Sequence, residues 1–254
     1  HRVFAIFATG DLVCTDFDGK RIWAKNLGVP ENPYGYSSSL LTTPDKLIVQ
    51  YDDERRQLLL AFDSASGREL WRKQRKAAIS WSSPVKIDLN NSSQIVILTC
   101  ASVEAYDLES GNQLWRENCM AGEVATSACF AGGRVLVAND NAVAAAIDPV
   151  KGEVLWENDE IDLPDVSSPI GQGDMMFIFT SGGVVECVDA DAGKKLWEHT
   201  LNDGFYSSPV LVGNRIIAID MKGVAHIIIP DKKQFIQERT CKVGEMVVST
   251  PVPG

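Results

Sequence analysis

The chain has 254 residues, 45% apolar and 23% charged, a mixture able to bury a core, which excludes a disordered chain. Lys and Arg number 24 against 34 Asp and Glu, and the resulting formal charge of −10 repels a phosphate backbone, so nucleic acid is excluded as a favoured partner. No run approaches the roughly 18 consecutive apolar residues that cross a bilayer as a helix.

The opening segment, His1 to Ala8, is too short for a signal peptide and reads as a strand. Without an initiating Met, the chain is expected to be a processed or excised piece, with any export signal lying outside it. Asp16-Phe17-Asp18-Gly19 then leads to Ile22-Trp23, and this pairing recurs along the chain. Asp63 and Gly67 precede Leu70-Trp71, and Asp107 and Gly111 precede Leu114-Trp115. Asp148 and Gly152 precede Leu155-Trp156, and Asp189 and Gly193 precede Leu196-Trp197. Five of the six tryptophans thus hold one repeat position.

A second marker, Ser-Ser-Pro or a variant, starts at Ser37, Ser82, Thr126, Ser167, Ser207 and Ser249. Its spacing of 40 to 45 residues is the length of a propeller blade. Between markers, short β-branched runs such as Arg215 to Ile219 are punctuated by Gly, Asn and Asp, which reads as strands, four per repeat. So small a sheet cannot cover both of its faces and must stack on its neighbours. The Asp-to-Trp unit makes sense as a hairpin: Asp bonds its own backbone, Gly takes a positive φ, and Trp lands at a fixed place on the outer strand. Each buried indole is worth at most about 4–6 kcal/mol at about 25 cal/mol/Å².

The segments Ala61 to Trp71, Ala105 to Trp115 and Ala146 to Trp156 resemble the tryptophan-docking repeat of the quinoprotein, or pyrroloquinoline-quinone-like (PQQ-like), β-propeller superfamily. The resemblance implies an all-β propeller of six four-stranded blades in one domain, 1–254. The marker at Ser249-Thr250-Pro251 would supply the innermost strand of the first blade, whose other strands begin at Arg2. The alternative is a six-blade portion of an eight-bladed propeller. It also assigns Trp23, Trp71, Trp115, Trp156 and Trp197 to docking between blades, with Cys14 and Cys187 as small packing residues opening the first and fifth motifs. The sixth copy is degraded, offering Phe235 or Ile236 where Trp should stand.

Motifs for chemistry are sparse. Six cysteines include no Cys-x-x-Cys and no adjacent pair, and three histidines lack partners at zinc spacing, so free buried thiols and no metal site are expected. Asp189-Ala190-Asp191-Ala192-Gly193 lacks the later ligands of a calcium loop and reads as the repeat turn. Gly171-Gln172-Gly173 lacks the third glycine of a dinucleotide loop, and Gly35-Tyr36-Ser37-Ser38-Ser39 lacks the second glycine of a nucleophile elbow. No catalytic residue is assigned.

Register nominates a surface instead. The residues preceding the markers include Tyr36, Trp81 and Tyr206, which in this superfamily would stand at the channel mouth, either stacking on a ligand or plugging a funnel. The charged insertion Tyr51 to Gln57 reads as a solvated hairpin tip open to a protein partner. The resemblance extends to exported bacterial propellers of the barrel-assembly lipoprotein type, which implies a non-catalytic protein-binding scaffold, periplasmic or at the cell surface, without a cofactor. A PQQ- and calcium-dependent alcohol or sugar dehydrogenase is one alternative, and a carbohydrate-binding propeller with its ligand at the channel mouth is another.

Overall fold

A computed structural model describes residues 2–33, 35–77, 79–90 and 92–252. Among them no helix occurs, and the strands form antiparallel sheets within two compact units, His1–Asn118 and Cys119–Gly254.

The first unit carries three sheets. Sheet one is β1 (Val3–Ile6), β2 (Asp11–Thr15) and β3 (Arg21–Asn26). Sheet two is β4 (Leu41–Thr42), β5 (Lys46–Asp52), β6 (Gln57–Asp63) and β7 (Glu69–Gln74). Sheet three is β8 (Val85–Leu89), β9 (Ser92–Leu98), β10 (Val103–Asp107) and β11 (Gln113–Glu117). In the second unit, sheet four is β12 (Cys129–Ala131), β13 (Arg134–Ala138), β14 (Ala144–Ile147) and β15 (Val154–Asn158). Sheet five is β16 (Ile170–Gln172), β17 (Met175–Phe179), β18 (Val184–Asp189) and β19 (Lys195–Thr200). Sheet six is β20 (Val210–Val212), β21 (Arg215–Ile219), β22 (Val224–Ile229) and β23 (Ile236–Lys242). Each is a simple meander of the blade type, as the repeat spacing predicts. Sheet one has three strands rather than four, and Ser249–Val252, expected to supply the missing one, lies in no strand.

The docking motif has one construction throughout. The small residue faces its tryptophan across the outer strand pair: Cys14 opposite Trp23, Ala61 opposite Trp71, Ala105 opposite Trp115, Ala146 opposite Trp156, Cys187 opposite Trp197. All five small residues are fully buried. Immediately after each, the register slips, a bulge that bends the strand toward the Asp turn. Within the turn, Asp63 Oδ1 accepts the Ser66 N–H at 2.8 Å, and Asp107 Oδ1 accepts that of Ser110 at 2.7 Å.

The turn's glycine is required twice over. Gly67 has φ +71°, and a Cβ there would stand 2.7 Å from the Trp23 ring; at Gly193, φ +69°, a Cβ would stand 2.5 Å from the Trp156 ring. The indoles of Trp23 and Trp156 therefore lie on the turn of the following sheet, as does that of Trp71, whose ring a Cβ at Gly111 would meet at 2.6 Å. Three indole N–H groups donate to the backbone of the next turn: Trp23 to Ser64 O at 3.2 Å, Trp156 to Ala190 O at 3.0 Å and Trp197 to Asp231 O at 2.8 Å.

The sixth copy departs from the expectation. Arg239, not Phe235 or Ile236, pairs with Ile227 at the tryptophan register. Phe235 instead meets the Trp197 ring edge-on at 5.9 Å and stacks on His199 at 4.1 Å. Cores lie between consecutive sheets: Leu47, Val49, Leu60 and Phe62 pack with Leu12, Phe4 and Trp23 in the first unit. Met176, Ile178 and Val188 pack with Leu136, Ala146 and Trp156 in the second.

Candidate binding surface

The serine marker forms a hydrogen-bonded chain along each unit. Ser38 Oγ donates to Ser82 O at 2.5 Å, and Ser39 N–H donates to Ser83 Oγ at 2.9 Å. In the second unit, Ser127, Ser168 and Ser208 N–H groups donate in turn to Ser168 Oγ, Ser208 Oγ and Thr250 Oγ1. This fixes the register: Ser38, not Ser37, corresponds to Ser82, Ser167 and Ser207. The position before the marker is then Ser37, Trp81 and Tyr206, and Tyr36 stands one residue out of step.

The consequence is visible in burial. Tyr36 turns inward and stacks on Tyr51 at 5.6 Å, with its hydroxyl buried and lacking a partner among the described residues. Burial pushes that hydroxyl's pKa up, reinforced by Tyr51 and Asp52. Trp81 is half-buried, its indole N–H donating to Asn32 Oδ1 at 2.9 Å. Tyr206, in the second unit, is 38% exposed, whereas its neighbour Phe205 is fully buried and packs edge-on against Phe179 at 5.2 Å.

The insertion Tyr51 to Gln57 is solvated only at its tip, Glu54 and Arg55. Tyr51, Asp52 and Asp53 are all buried, and Arg55 reaches out to Glu31 at 2.7 Å. Asp53 receives the Arg55 and Arg56 N–H groups at 2.9 and 2.6 Å and the Arg56 guanidinium at 2.8 Å. Burial would raise the Asp53 pKa, but these bonds outweigh it and hold it below the ordinary carboxylate value. Arg56 also donates to Leu27 O and Val29 O, tying the β5–β6 turn to the segment that leaves sheet one. The base of the insertion is a clamp because Asp53 and Arg56 close on each other while Arg56 holds the chain leaving sheet one.

A second charged node lies deeper. Arg75, fully buried, donates to Asp52 at 2.6 Å and to Glu104 at 2.9 Å, and Tyr106 donates its hydroxyl to Glu104. Burial opposes the charge on Arg75, yet the two carboxylates keep it firmly protonated; burial raises Asp52 against the pull of Arg75. Reading the sequence alone missed this node. Its signal was the basic run Arg72-Lys73-Gln74-Arg75-Lys76, which follows a docking tryptophan.

Several groups able to do acid–base chemistry are similarly committed. In the second unit, His226 offers Nδ1 to Gln237 at 2.8 Å and Nε2 to Asp220 at 3.0 Å, so neither nitrogen is left for a nucleophile. Asp162, Glu186 and Glu198 bring carboxylate oxygens within 4.8 Å of one another. The Lys195 ammonium already lies 3.3 Å from Glu186 and 2.5 Å from Glu198, so this cluster does not fit the calcium of a quinone site. Asp189 Oδ1 accepts two backbone N–H groups of its own turn, at 2.9 Å each, which is the repeat hairpin and not a calcium loop. Cys14, Cys129, Cys187 and Cys241 are free thiols; Cys187 and Cys129 are buried, which pushes both up to about 12.

Comparison with known proteins follows the same lines. The assembly factor BamB of Moranella endobia is 21% identical over 229 residues, 82% of this chain and 58% of that protein. A quinoprotein ethanol dehydrogenase of Pseudomonas aeruginosa is 32% identical over 103 residues, 38% of this chain but 16% of the enzyme. The chain thus spans little more than half of one relative's length and a sixth of the other's. The crystal structure of BamB from Moraxella catarrhalis superimposes with a TM-score of 0.69 at 14% identity, over 86% of this chain and 66% of that one, which shows the β-propeller fold. The model of the PQQ-like repeat family described as outer membrane protein assembly factor BamB matches residues 99–232. That match covers more than half of the sequence, and the chain belongs to this family.

Proposed function

We propose that this chain is a non-catalytic binding module, working as one domain over 1–254, that scaffolds proteins during outer-membrane assembly from the periplasmic side or cell surface of a bacterium. The observation that carries the reading is the internal commitment of the polar groups. Arg75, His226 and Lys195 each hold their acidic partners within the protein, so these groups are engaged in structure rather than held ready for a substrate. Membership of the BamB family supports the choice of partner class. Trp81 and the exposed Tyr206 share one repeat position and supply the aromatic anchors that protein interfaces favour.

The stretch similar to a quinoprotein ethanol dehydrogenase favours a second reading, an enzyme using PQQ and calcium. One pair of measurements separates the two. A photo-crosslinking amino acid at position 206, in envelope fractions, is expected to capture outer-membrane assembly proteins. Purified protein given PQQ and calcium is expected to show no dye reduction with ethanol or glucose; turnover overturns the scaffold reading.

A further inference from the structure

The outer groove between sheets two and three encloses a cavity of about 410 Å³. Its lining includes four cations, Lys73, Arg75, Lys76 and Arg116, and no carboxylate. That is unexpected in a chain of net charge −10. Arg75, on the inner side, is compensated by Asp52 and Glu104. Arg116 stands 3.5 Å from Glu104 and donates to Lys76 O at 2.7 Å, which leaves Glu104 shared between two guanidiniums. Neither Lys73 nor Lys76 has a carboxylate partner among the described residues; Lys73 Nζ donates to the neutral Asn112 at 2.8 Å.

The scaffold does not demand this charge, as the matching groove between sheets four and five shows. Counting from the docking tryptophan, Lys73 corresponds to Asn158, Arg75 to Glu160, and Arg116 to Glu198. Glu104 corresponds to Glu186, each one residue before the small residue opposite its tryptophan. Asn158 Nδ2 donates to Gly193 O at 2.7 Å, so a neutral side chain also bridges two sheets at this register. One groove has become acidic and the other basic on the same backbone plan.

We propose that the basic groove is a binding site for a small oxyanion, a molecule carrying phosphate or carboxylate groups. Lys73 and Lys76 supply uncompensated charge, and Arg116 and Asn112 supply further hydrogen-bond donors, within a concave site where part of the solvent is excluded. The site is separate from the aromatic rim and stands whether or not the scaffold reading does.

Isothermal titration with inorganic pyrophosphate and with citrate, at about 20 mM salt so that screening is weak, tests the proposal on the intact chain. Saturable binding of one probe or both is expected, and the tighter of the two identifies phosphate or carboxylate as the preferred group. The double variant Lys73→Asn, Lys76→Gln takes the Asn that sheet four uses at that register. It is expected to melt at the wild-type temperature and to bind at least about tenfold more weakly, the loss of two charge-assisted contacts. Should the double variant fail to fold, Lys76→Gln alone gives the same readout, with a smaller weakening. Absence of saturable binding up to about 10 mM, well above the affinity of a built site, or equal binding by wild type and variant, overturns the proposal.

Discussion

Trp71 and Trp156 occupy the same repeat position and differ in one atom's surroundings. The Trp156 indole N–H donates to Ala190 O at 3.0 Å, whereas the Trp71 N–H is buried with no acceptor among the described residues. Replacement by Phe removes a satisfied bond in one case and an unsatisfied donor in the other. Trp156→Phe is therefore expected to cost about 1 kcal/mol more than Trp71→Phe, measured by urea unfolding, since an unmade buried bond already carries its desolvation penalty. Equal losses would show that the N–H contributes nothing to docking. The hairpin that sets each small residue opposite its tryptophan was legible in the sequence, because a small residue, an Asp, a Gly and a Trp at fixed spacing have one hairpin that suits them all. Tyr36 was not, since an offset of a single residue in the first serine marker left it out of the shared register, on the inside with Tyr51.

Three of the repeat hairpins hold an aspartate below the ordinary carboxylate pKa, Asp63, Asp107 and Asp148. Hydrogen bonds from Ser66 hold Asp63 below the ordinary carboxylate pKa, and Ser110 does the same for Asp107. The backbone N–H groups of Lys151 and Val150 depress Asp148. With folded-state values depressed, the unfolded chain takes up protons first as pH falls. The stabilisation is present above the unfolded value of about 4 and is lost as pH drops through the folded ones. The triple variant Asp63→Asn, Asp107→Asn, Asp148→Asn keeps an acceptor oxygen in each turn and removes the titration. Its melting temperature is expected to fall less than that of the wild type between about pH 6 and 3; parallel curves would place the acid sensitivity elsewhere. At this scale the sequence showed the repeat turns and the exposed tip Glu54-Arg55, but not the buried base of the Tyr51 to Gln57 insertion. Charge in a loop ordinarily means solvent, and only the fold reveals that Asp53 and Arg56 close on each other. The degraded sixth repeat misled for a related reason: sheet six keeps its bulge, between Ile227 and Ile228, but puts Arg239 at the indole's register.

Across the whole molecule two electrostatic terms oppose each other. A net charge of −10 stores self-repulsion in the folded state, which salt relieves. Against it stand surface ion pairs such as Arg72 with Glu69 and Arg215 with Glu238, which salt weakens. Exposed pairs of this kind are each worth about 0–1 kcal/mol. The buried node of Arg75 with Asp52 and Glu104, closed to solvent, is screened far less. Repulsion summed over the excess of acidic groups acts at longer range than contact pairs, and the Debye length falls from about 30 Å at 0.01 M salt to about 8 Å at 0.15 M. The first increment of sodium chloride should therefore relieve more repulsion than attraction. The melting temperature, followed by calorimetry, is expected to rise over that interval and then level off. A fall would mean that local pairing outweighs net charge, and that the acidic surplus is spread too thinly around the sheets to oppose folding.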